Sequence, residues 1–352
     1  MSFIKKPVAR HPSLQPNKLG LTVRDYEGSM STLCAGCGHD SITAAIIRAF
    51  YELDTPPHMV AKLSGIGCSS KTPTYFVSGA HGFNSAHGRM PAIVTGAAAA
   101  NKTLTYIGIS GDGDSLSIGL GQMSHAIRRN VNMLYVLENN GVYGLTKGQF
   151  SASADIGSKS KKGDVNTQQV IDPVSLALTL GATFVARSFS GDKAQLVPIL
   201  KAALSHEGFA LVDVISPCVT FNDHEGSTKS YMYTRKHQLP ILEASFVPHR
   251  EEITADYPEG TTKEVTMHDG SVVRFSKLPA GYDPKNRNAV FEYLQQQRGA
   301  GTIPTGLLFL DTDGGVEMHE AAKTVDAPLS QLPYEQLCPG SEALDKLMQG
   351  YR

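Results

Sequence analysis

The chain has 352 residues, 41% of them apolar, enough for a complete α/β core and a smaller appendage. A formal charge of −1 leaves no electrostatic footprint for nucleic acid, and no apolar run approaches the roughly 20 residues that a membrane-crossing helix needs. The opening residues (MSFIKKPVARHPSLQPNKLG) lack the apolar stretch of a signal peptide, so a cytoplasmic protein with no membrane partner is expected. In that setting five cysteines read as ligands or reactive thiols rather than disulfides.

Residues 1–30 are polar and contain prolines, as an arm lying on something else would be. The working region opens at LCAGCGH (33–39), after which Ile42, Ala45, Ile46, Ala49, Phe50 and Leu53 recur at helical spacing, with Asp40 or Ser41 as the expected N-cap. A strand over 59–64 leads into Gly65-Ile66-Gly67-Cys68-Ser69-Ser70-Lys71-Thr72. That run superficially resembles a nucleotide-binding P-loop, but Ser70 stands where the motif needs glycine, which excludes an NTPase. His87-Gly88-Arg89 precedes an alanine-rich helix. An apolar strand follows over 104–110, then Gly111-Asp112-Gly113-Asp114. Leu116, Leu120, Met123 and Ile127 mark the next helix and residues 131–137 the next strand, which runs into NNGVYGLTKGQ (139–149).

The polar run SASADIGSKSKKGDVNTQQ (151–169) reads as a mobile surface loop, with Lys159, Lys161 and Lys162 clustered. A docking patch for an acidic partner or for coenzyme A phosphates is the sharper alternative. Helix 173–180, strand 183–189, helix 193–204 and strand 209–215 continue the βα alternation, predicting a mostly parallel sheet with helices on both faces. Beyond 240 the pattern breaks. Strands over 264–267 and 272–275 flank a turn at Asp269-Gly270, and a helix over 288–297 precedes a loosely structured tail. The expected division is an arm (1–30), an α/β domain (31–235) and a C-terminal extension with a hairpin (236–352).

Two constellations carry chemistry. In a strand–helix–strand unit the strands run parallel, so Asp112 and Asn140 leave their strands at the same sheet edge, where open α/β folds bind ligands. A carboxylate, an amide oxygen, a glycine-rich turn and a helix N-terminus suit a magnesium diphosphate. GDG alone would only make a tight turn; the second oxygen donor after the next strand favours the metal site. The other constellation is cysteine. Cys34 and Cys37 are spaced CxxC, while Cys68 and Cys218 each follow a strand, so four thiolates can meet at that same rim. Spacing leaves tetrahedral zinc and a [4Fe–4S] cluster equally open. Cys338 has no partner in the tail and reads as an ordinary thiol.

GDG followed after a helix and a strand by NN resembles the thiamine diphosphate motif, and GDGDSLSIGLGQ…RRNVNMLYVLENNGVYGLTKGQ resembles the β subunit of 2-oxoacid:ferredoxin oxidoreductases over roughly residues 33–223. The resemblance implies the thiamine diphosphate-binding fold. It puts Mg2+ on Asp112, the Asn140 side chain and the Val142 carbonyl. One [4Fe–4S] cluster falls on Cys34, Cys37, Cys68 and Cys218, which tips the cysteine reading towards iron–sulfur. Ile66, Gly67, Cys68, Ser69, Gly113, Asp114, Gly144 and Leu145 become cofactor-lining positions, with His87 and Arg89 as weaker candidates for diphosphate contact or packing. Lys71 and Lys147 lie within family motifs and resemble residues that hold substrate carboxylates.

What the resemblance implies for activity is oxidative decarboxylation of a 2-oxo acid to acyl-CoA and CO2, with electrons passed through the cluster to ferredoxin, and the reverse carboxylation when ferredoxin is sufficiently reducing. Two lysines suit a dicarboxylate, so 2-oxoglutarate is expected first and pyruvate second. A non-redox thiamine diphosphate lyase with structural zinc, and a non-catalytic assembly subunit, are the alternatives. The chain shows no second module to hold the aminopyrimidine, so an α subunit is expected to complete the site in a heterodimer or a dimer of heterodimers. Coenzyme A and ferredoxin are the remaining expected partners.

Overall fold

The computed structural model describes residues 12–160, 162–242, 262–266, 272–276, 282–312, 314–338 and 340–351. Its centre is an eight-stranded sheet. In chain order the strands and their helices are α1 (Gly38–Glu52), β1 (Val60–Ser64), β2 (His81–Asn84), α2 (Met90–Ala100), β3 (Thr105–Gly111), α3 (Leu120–Arg128), β4 (Met133–Asn139), β5 (Val142–Tyr143), β6 (Gln149–Phe150), α4 (Pro173–Leu180), β7 (Phe184–Phe189), α5 (Lys193–Leu204) and β8 (Phe209–Ile215). Then come α6 (Tyr231–His237), β9 (Gln238–Leu242), β10 (Thr262–Thr266), β11 (Val272–Ser276), α7 (Arg287–Gly299) and β12 (Ile303–Leu310). The sheet order is β2-β1-β3-β4-β8-β7-β12-β9. From β2 to β7 every pairing is parallel. β12 runs antiparallel to β7, and β9 parallel to β12.

Alternation along the strands divides the core into two layers. On β4, Met133, Tyr135 and Leu137 face α2, α3, α4 and α7, packing with Met90, Val94, Met123, Ile127 and Leu178. Leu134 and Val136 face the other way, onto the Ile42, Ile46 and Phe50 stripe of α1 and the Leu196, Ile199 and Leu200 stripe of α5. Both faces of the central strands are therefore apolar, which is why they read as continuous hydrophobic runs rather than alternating ones.

Several sequence expectations are corrected here. Helix α1 begins at Gly38 with Cys37 as its N-cap residue, not at Asp40 or Ser41. The Gly38 N–H donates to the Pro217 carbonyl at 3.3 Å, so the strand-end segment after β8 satisfies the helix start that no side chain caps. Residues 151–169 are not wholly a surface loop: Ser151, Ser153, Ala154 and Asn166 are buried, the Asn166 amide donating to the carbonyls of Ala154 and Asp155. The tail is not loose throughout. β9 and β12 lie beyond residue 235 yet join the main sheet, with Leu308 and Phe309 in its core. β10 and β11 do pair antiparallel, Glu264 opposite Arg274; the expected turn at Asp269-Gly270 lies outside the described residues. Residues of the N-terminal arm pack on this chain itself, Tyr26 being fully buried with its hydroxyl donating to the Thr55 carbonyl.

A buried ion triad ties β7, β8 and the start of α4 together. Arg187 on β7 donates from Nε to Asp213 of β8 at 2.8 Å and from a terminal nitrogen to Asp172, which also caps α4. Burial opposes every charge in this group, and the two carboxylates hold the guanidinium protonated. Removing the single cation leaves two carboxylates uncompensated. Arg187→Met should therefore lower unfolding stability by about 3–5 kcal/mol, read by chemical denaturation; a loss below about 1 kcal/mol would show that the triad is not held as described.

Candidate active site

The parallel pairing lays the ends of β1, β3, β4 and β8 along one edge. Ser64 pairs with Ile109, Gly111 with Glu138 and Asn139 with Ile215, so the segments starting at Gly65, Asp112, Asn140 and Ser216 emerge side by side. After β3 the chain does not enter an ordinary helix at once. Residues Gly113–Ile118 form a π-helical turn, closed by the Gly119 N–H donating to the Asp114 carbonyl at 2.8 Å. Such wide turns recur at functional sites because they re-aim the residues at a helix start.

A cavity sits on this edge. Ile66, Gly67, Cys68 and Ser69 form one wall, Asp112, Gly113 and Asp114 the floor, and Asn140, Val142, Gly144 and Leu145 the opposite wall, with His87 at the mouth. Every position expected to hold diphosphate or its metal thus meets in one cavity. Lys71 and Lys147 do not line it. Lys71 is half-buried in the turn after Cys68, and Lys147 is exposed in a turn where its φ is +79°. Arg89 is exposed at the N-cap of α2. Sequence reasoning missed four lining residues, Gly111, Tyr143, Thr146 and His39. The last stands two residues after Cys37 and was legible only once α1 was known to begin at Gly38.

The acidic side chains are individually anchored. Asp112 is buried and accepts the Asn140 N–H at 3.2 Å on Oδ1 and the Gly141 N–H at 3.0 Å on Oδ2. Asn140 Oδ1 accepts the Val142 N–H at 3.0 Å, and Asn222 holds the Asn140 carbonyl at 2.8 Å. Asp114 accepts the Gly88 N–H at 2.8 Å and the Ser110 hydroxyl at 2.7 Å, drawing the His87 loop onto the site. Gly113 has no room for a side chain, because a Cβ there would lie 2.5 Å from the Tyr143 ring. The Tyr143 hydroxyl in turn donates to the Gly113 carbonyl at 3.1 Å. Oxygen donors of this kind, beside backbone N–H groups, fit Mg2+ and a diphosphate.

The cysteines gather next door. A Cβ at Gly144 would lie 3.3 Å from the Cys68 sulfur and 3.7 Å from that of Cys218. Electrostatic interactions join Cys37 to Cys218, Cys68 to both Cys218 and Cys34, and Cys218 to Cys34. Burial, first of all, pushes three of these thiols up, Cys37 to about 12 and Cys68 and Cys218 in the same direction. As free thiols they are therefore protonated, and a bound metal would have to displace those protons. Cys338 is exposed, its thiol bonded to Tyr334 and to the Gly340 backbone.

Beneath both groups lies an uncharged pair. Burial drives His39 down to about 4 and raises Glu138 well above the usual carboxylate range, so burial disfavours the charged form of both partners in their 3.4 Å contact. His39 Nδ1 also bonds the Ser216 hydroxyl at 2.6 Å, and Thr72 donates to Glu138 at 3.1 Å.

The family model described as thiamine pyrophosphate enzyme, C-terminal TPP binding domain, matches residues 65–214. A 2-oxoacid:ferredoxin oxidoreductase subunit beta of Saccharolobus solfataricus is 43% identical over 58% of this chain and 67% of its own. The chain belongs to this family of β subunits. The 2-oxoglutarate oxidoreductase subunit KorB of Mycobacterium tuberculosis is 44% identical over 54% of this chain and 51% of its own. Among solved structures, a chain of the 2-oxoglutarate:ferredoxin oxidoreductase from Magnetococcus marinus, with 2-oxoglutarate, coenzyme A and succinyl-CoA bound, superposes with a TM-score of 0.71 at 30% identity. That alignment covers 89% of this chain and 91% of the other, so the family fold extends well beyond the 33–223 span of sequence resemblance. No helix among the described residues is long and apolar enough to cross a membrane.

The neutral pair gives a pH prediction. Glu138 is raised in the folded state, so its contribution is complete below about pH 4.5 and is lost as pH rises through the folded value. Glu138→Gln imitates the protonated acid and removes that loss. The variant's melting temperature relative to the parent should therefore rise between pH 5 and pH 8; a difference that stays constant over that range would mean Glu138 is charged in the fold.

Proposed function

We propose that the chain is the β subunit of a CoA-dependent 2-oxoacid:ferredoxin oxidoreductase, acting on 2-oxoglutarate in preference to pyruvate. It binds thiamine diphosphate, Mg2+ and one [4Fe–4S] cluster. The observation that carries this reading is the adjacency of the two sites: Gly144 lines the diphosphate cavity, and a Cβ at that position would meet the sulfurs of two of the four cysteines. Thiamine diphosphate, when bound, supplies an electron sink for decarboxylation, and the cluster a one-electron acceptor beside it. Substrate preference follows the relatives, two of which carry 2-oxoglutarate in their names.

The chain's own residues have distinct tasks in this account. Asp112, the Asn140 side chain and the Val142 carbonyl hold Mg2+, while Gly67, Ser69, Gly113 and Asp114 shape the diphosphate cradle. Ile66, Gly144 and Leu145 supply the apolar part of the cavity's lining. Cys34, Cys37, Cys68 and Cys218 hold the cluster. A mononuclear zinc site fits less well, since its sulfurs would stand only about 3.8 Å apart for ~2.3 Å Zn–S bonds. Among the described residues no three His, Cys, Asp or Glu side chains lie so close together. Lys71 and Lys147 stand outside the cavity itself and meet the substrate's carboxylates at its entrance, His87 completing the mouth. An α subunit covers this open edge and supplies the aminopyrimidine contacts. Ferredoxin takes up the electrons, and a sufficiently reducing ferredoxin drives the reaction towards carboxylation.

Two outcomes test these assignments in the co-purified, anaerobic α–β complex. Cys218→Ala should lose cluster iron and the visible absorption it gives, whereas Cys338→Ala should keep both; full iron in the Cys218 variant would sink the cluster assignment. Lys71→Met or Lys147→Met should weaken CoA-dependent dye reduction with 2-oxo acid by about ten- to a hundredfold in kcat/KM, as expected for loss of a charge-assisted hydrogen bond of about 1.5–3 kcal/mol. A lysine that reads the distal carboxylate will penalise 2-oxoglutarate more than pyruvate, and equal losses would remove it from substrate selection.

A further inference from the structure

Asp112 has more donors than a tight turn requires. Its Oδ2 accepts the Gly141 N–H at 3.0 Å, the Ser153 hydroxyl at 2.7 Å and the Ser151 hydroxyl. Three donors saturate one carboxylate oxygen. Among the described residues Oδ1 accepts only the Asn140 N–H, at 3.2 Å, which leaves a lone pair free. We propose that Ser151 and Ser153 are positioning residues that turn the Asp112 carboxylate so that Oδ1, and only Oδ1, is presented to the metal. The inference rests on the reading of Asp112 as a Mg2+ ligand.

The geometry is built in advance of any ligand. Both serines are buried, 6% and 1% exposed, in a stretch whose polar composition suggests solvent. Their segment is fixed from three sides. The Ser151 N–H donates to the Gly141 carbonyl at 3.2 Å, the Ile171 N–H to the Ala152 carbonyl at 2.8 Å, and the Ala152 N–H to the Ser117 hydroxyl at 3.0 Å. Ser153 has one hydroxyl proton and three acceptors in reach, Asp112 Oδ2 at 2.7 Å, Asn139 Oδ1 at 2.8 Å and Ser151 Oγ at 3.2 Å. The charged acceptor wins it. Asn139 is held separately, its amide donating to Asp213 at 3.1 Å, the carboxylate that Arg187 also binds.

Groups that orient a metal ligand typically cost ten- to a hundredfold in metal affinity when removed. The test is calorimetric titration of Mg2+ into the co-purified α–β complex, cluster-loaded, chelator-treated and saturated with thiamine diphosphate. Ser151→Ala/Ser153→Ala should weaken Mg2+ by about ten- to a hundredfold, with melting temperature in the absence of Mg2+ little changed. Activity at saturating Mg2+ should recover to within a few-fold, a split between affinity and turnover that a purely structural role would not give. Ser151→Ala alone, the milder change, should show an intermediate loss and serves if the double variant does not assemble. Asp112→Ala separates the two ideas. If it binds Mg2+ as the parent does, the metal reading fails; if it loses Mg2+ while the serine variants keep parental affinity, the metal reading stands and the serines' role is refuted.

Discussion

Parallel pairing of β1, β3, β4 and β8 is the constraint from which the rest of the site follows. It brings four loops that are far apart in sequence to one edge: the GIGCS segment, the GDGD turn, the NNGVYG turn and the segment carrying Cys218. The side chains need not be aimed individually over long distances, because each stands within a few residues of a strand end. Packing on both faces holds that register. A one-residue slip of β4 would exchange Tyr135 and Leu137 with Val136, and place each against the wrong helical layer.

The charges at this edge are organised by burial. Groups expected to meet metals are supplied with backbone and hydroxyl donors, as Asp112 is, or are kept as neutral thiols, as Cys37, Cys68 and Cys218 are. Directly beneath, His39 and Glu138 stay uncharged. The charged triad of Arg187, Asp172 and Asp213 is set back from the cavity, where it braces the sheet rather than competing for the ligand.

Much of this was legible in the sequence, for physical reasons that can be named. Helices 173–180 and 193–204 were found to the residue because capping aspartates and a change of period bound them. Most residues that line the cavity were legible because they follow a strand, where parallel topology decides their meeting place, whereas Cys34 and Cys37 precede α1 instead. What escaped were contacts that composition conceals. Ser151 and Ser153 sit in a run that looks solvated, and only the three-dimensional partner, Asp112, explains their burial. β9 was hidden by Pro240, which suits it to the sheet edge it occupies. β12 was overlooked although residues 303–310 form an apolar run of strand length, because the surrounding segment carried no βα alternation.

The central claim is that substrate electrons pass directly from the thiamine diphosphate cavity to a cluster held by the four gathered cysteines. It is tested most directly by electron paramagnetic resonance on the anaerobic α–β complex frozen after addition of 2-oxoglutarate without coenzyme A. The account predicts a one-electron-reduced iron–sulfur signal or an organic radical broadened by a nearby cluster. An iron-free protein, or a cluster that dithionite reduces and 2-oxoglutarate leaves untouched while CO2 is released, would contradict it.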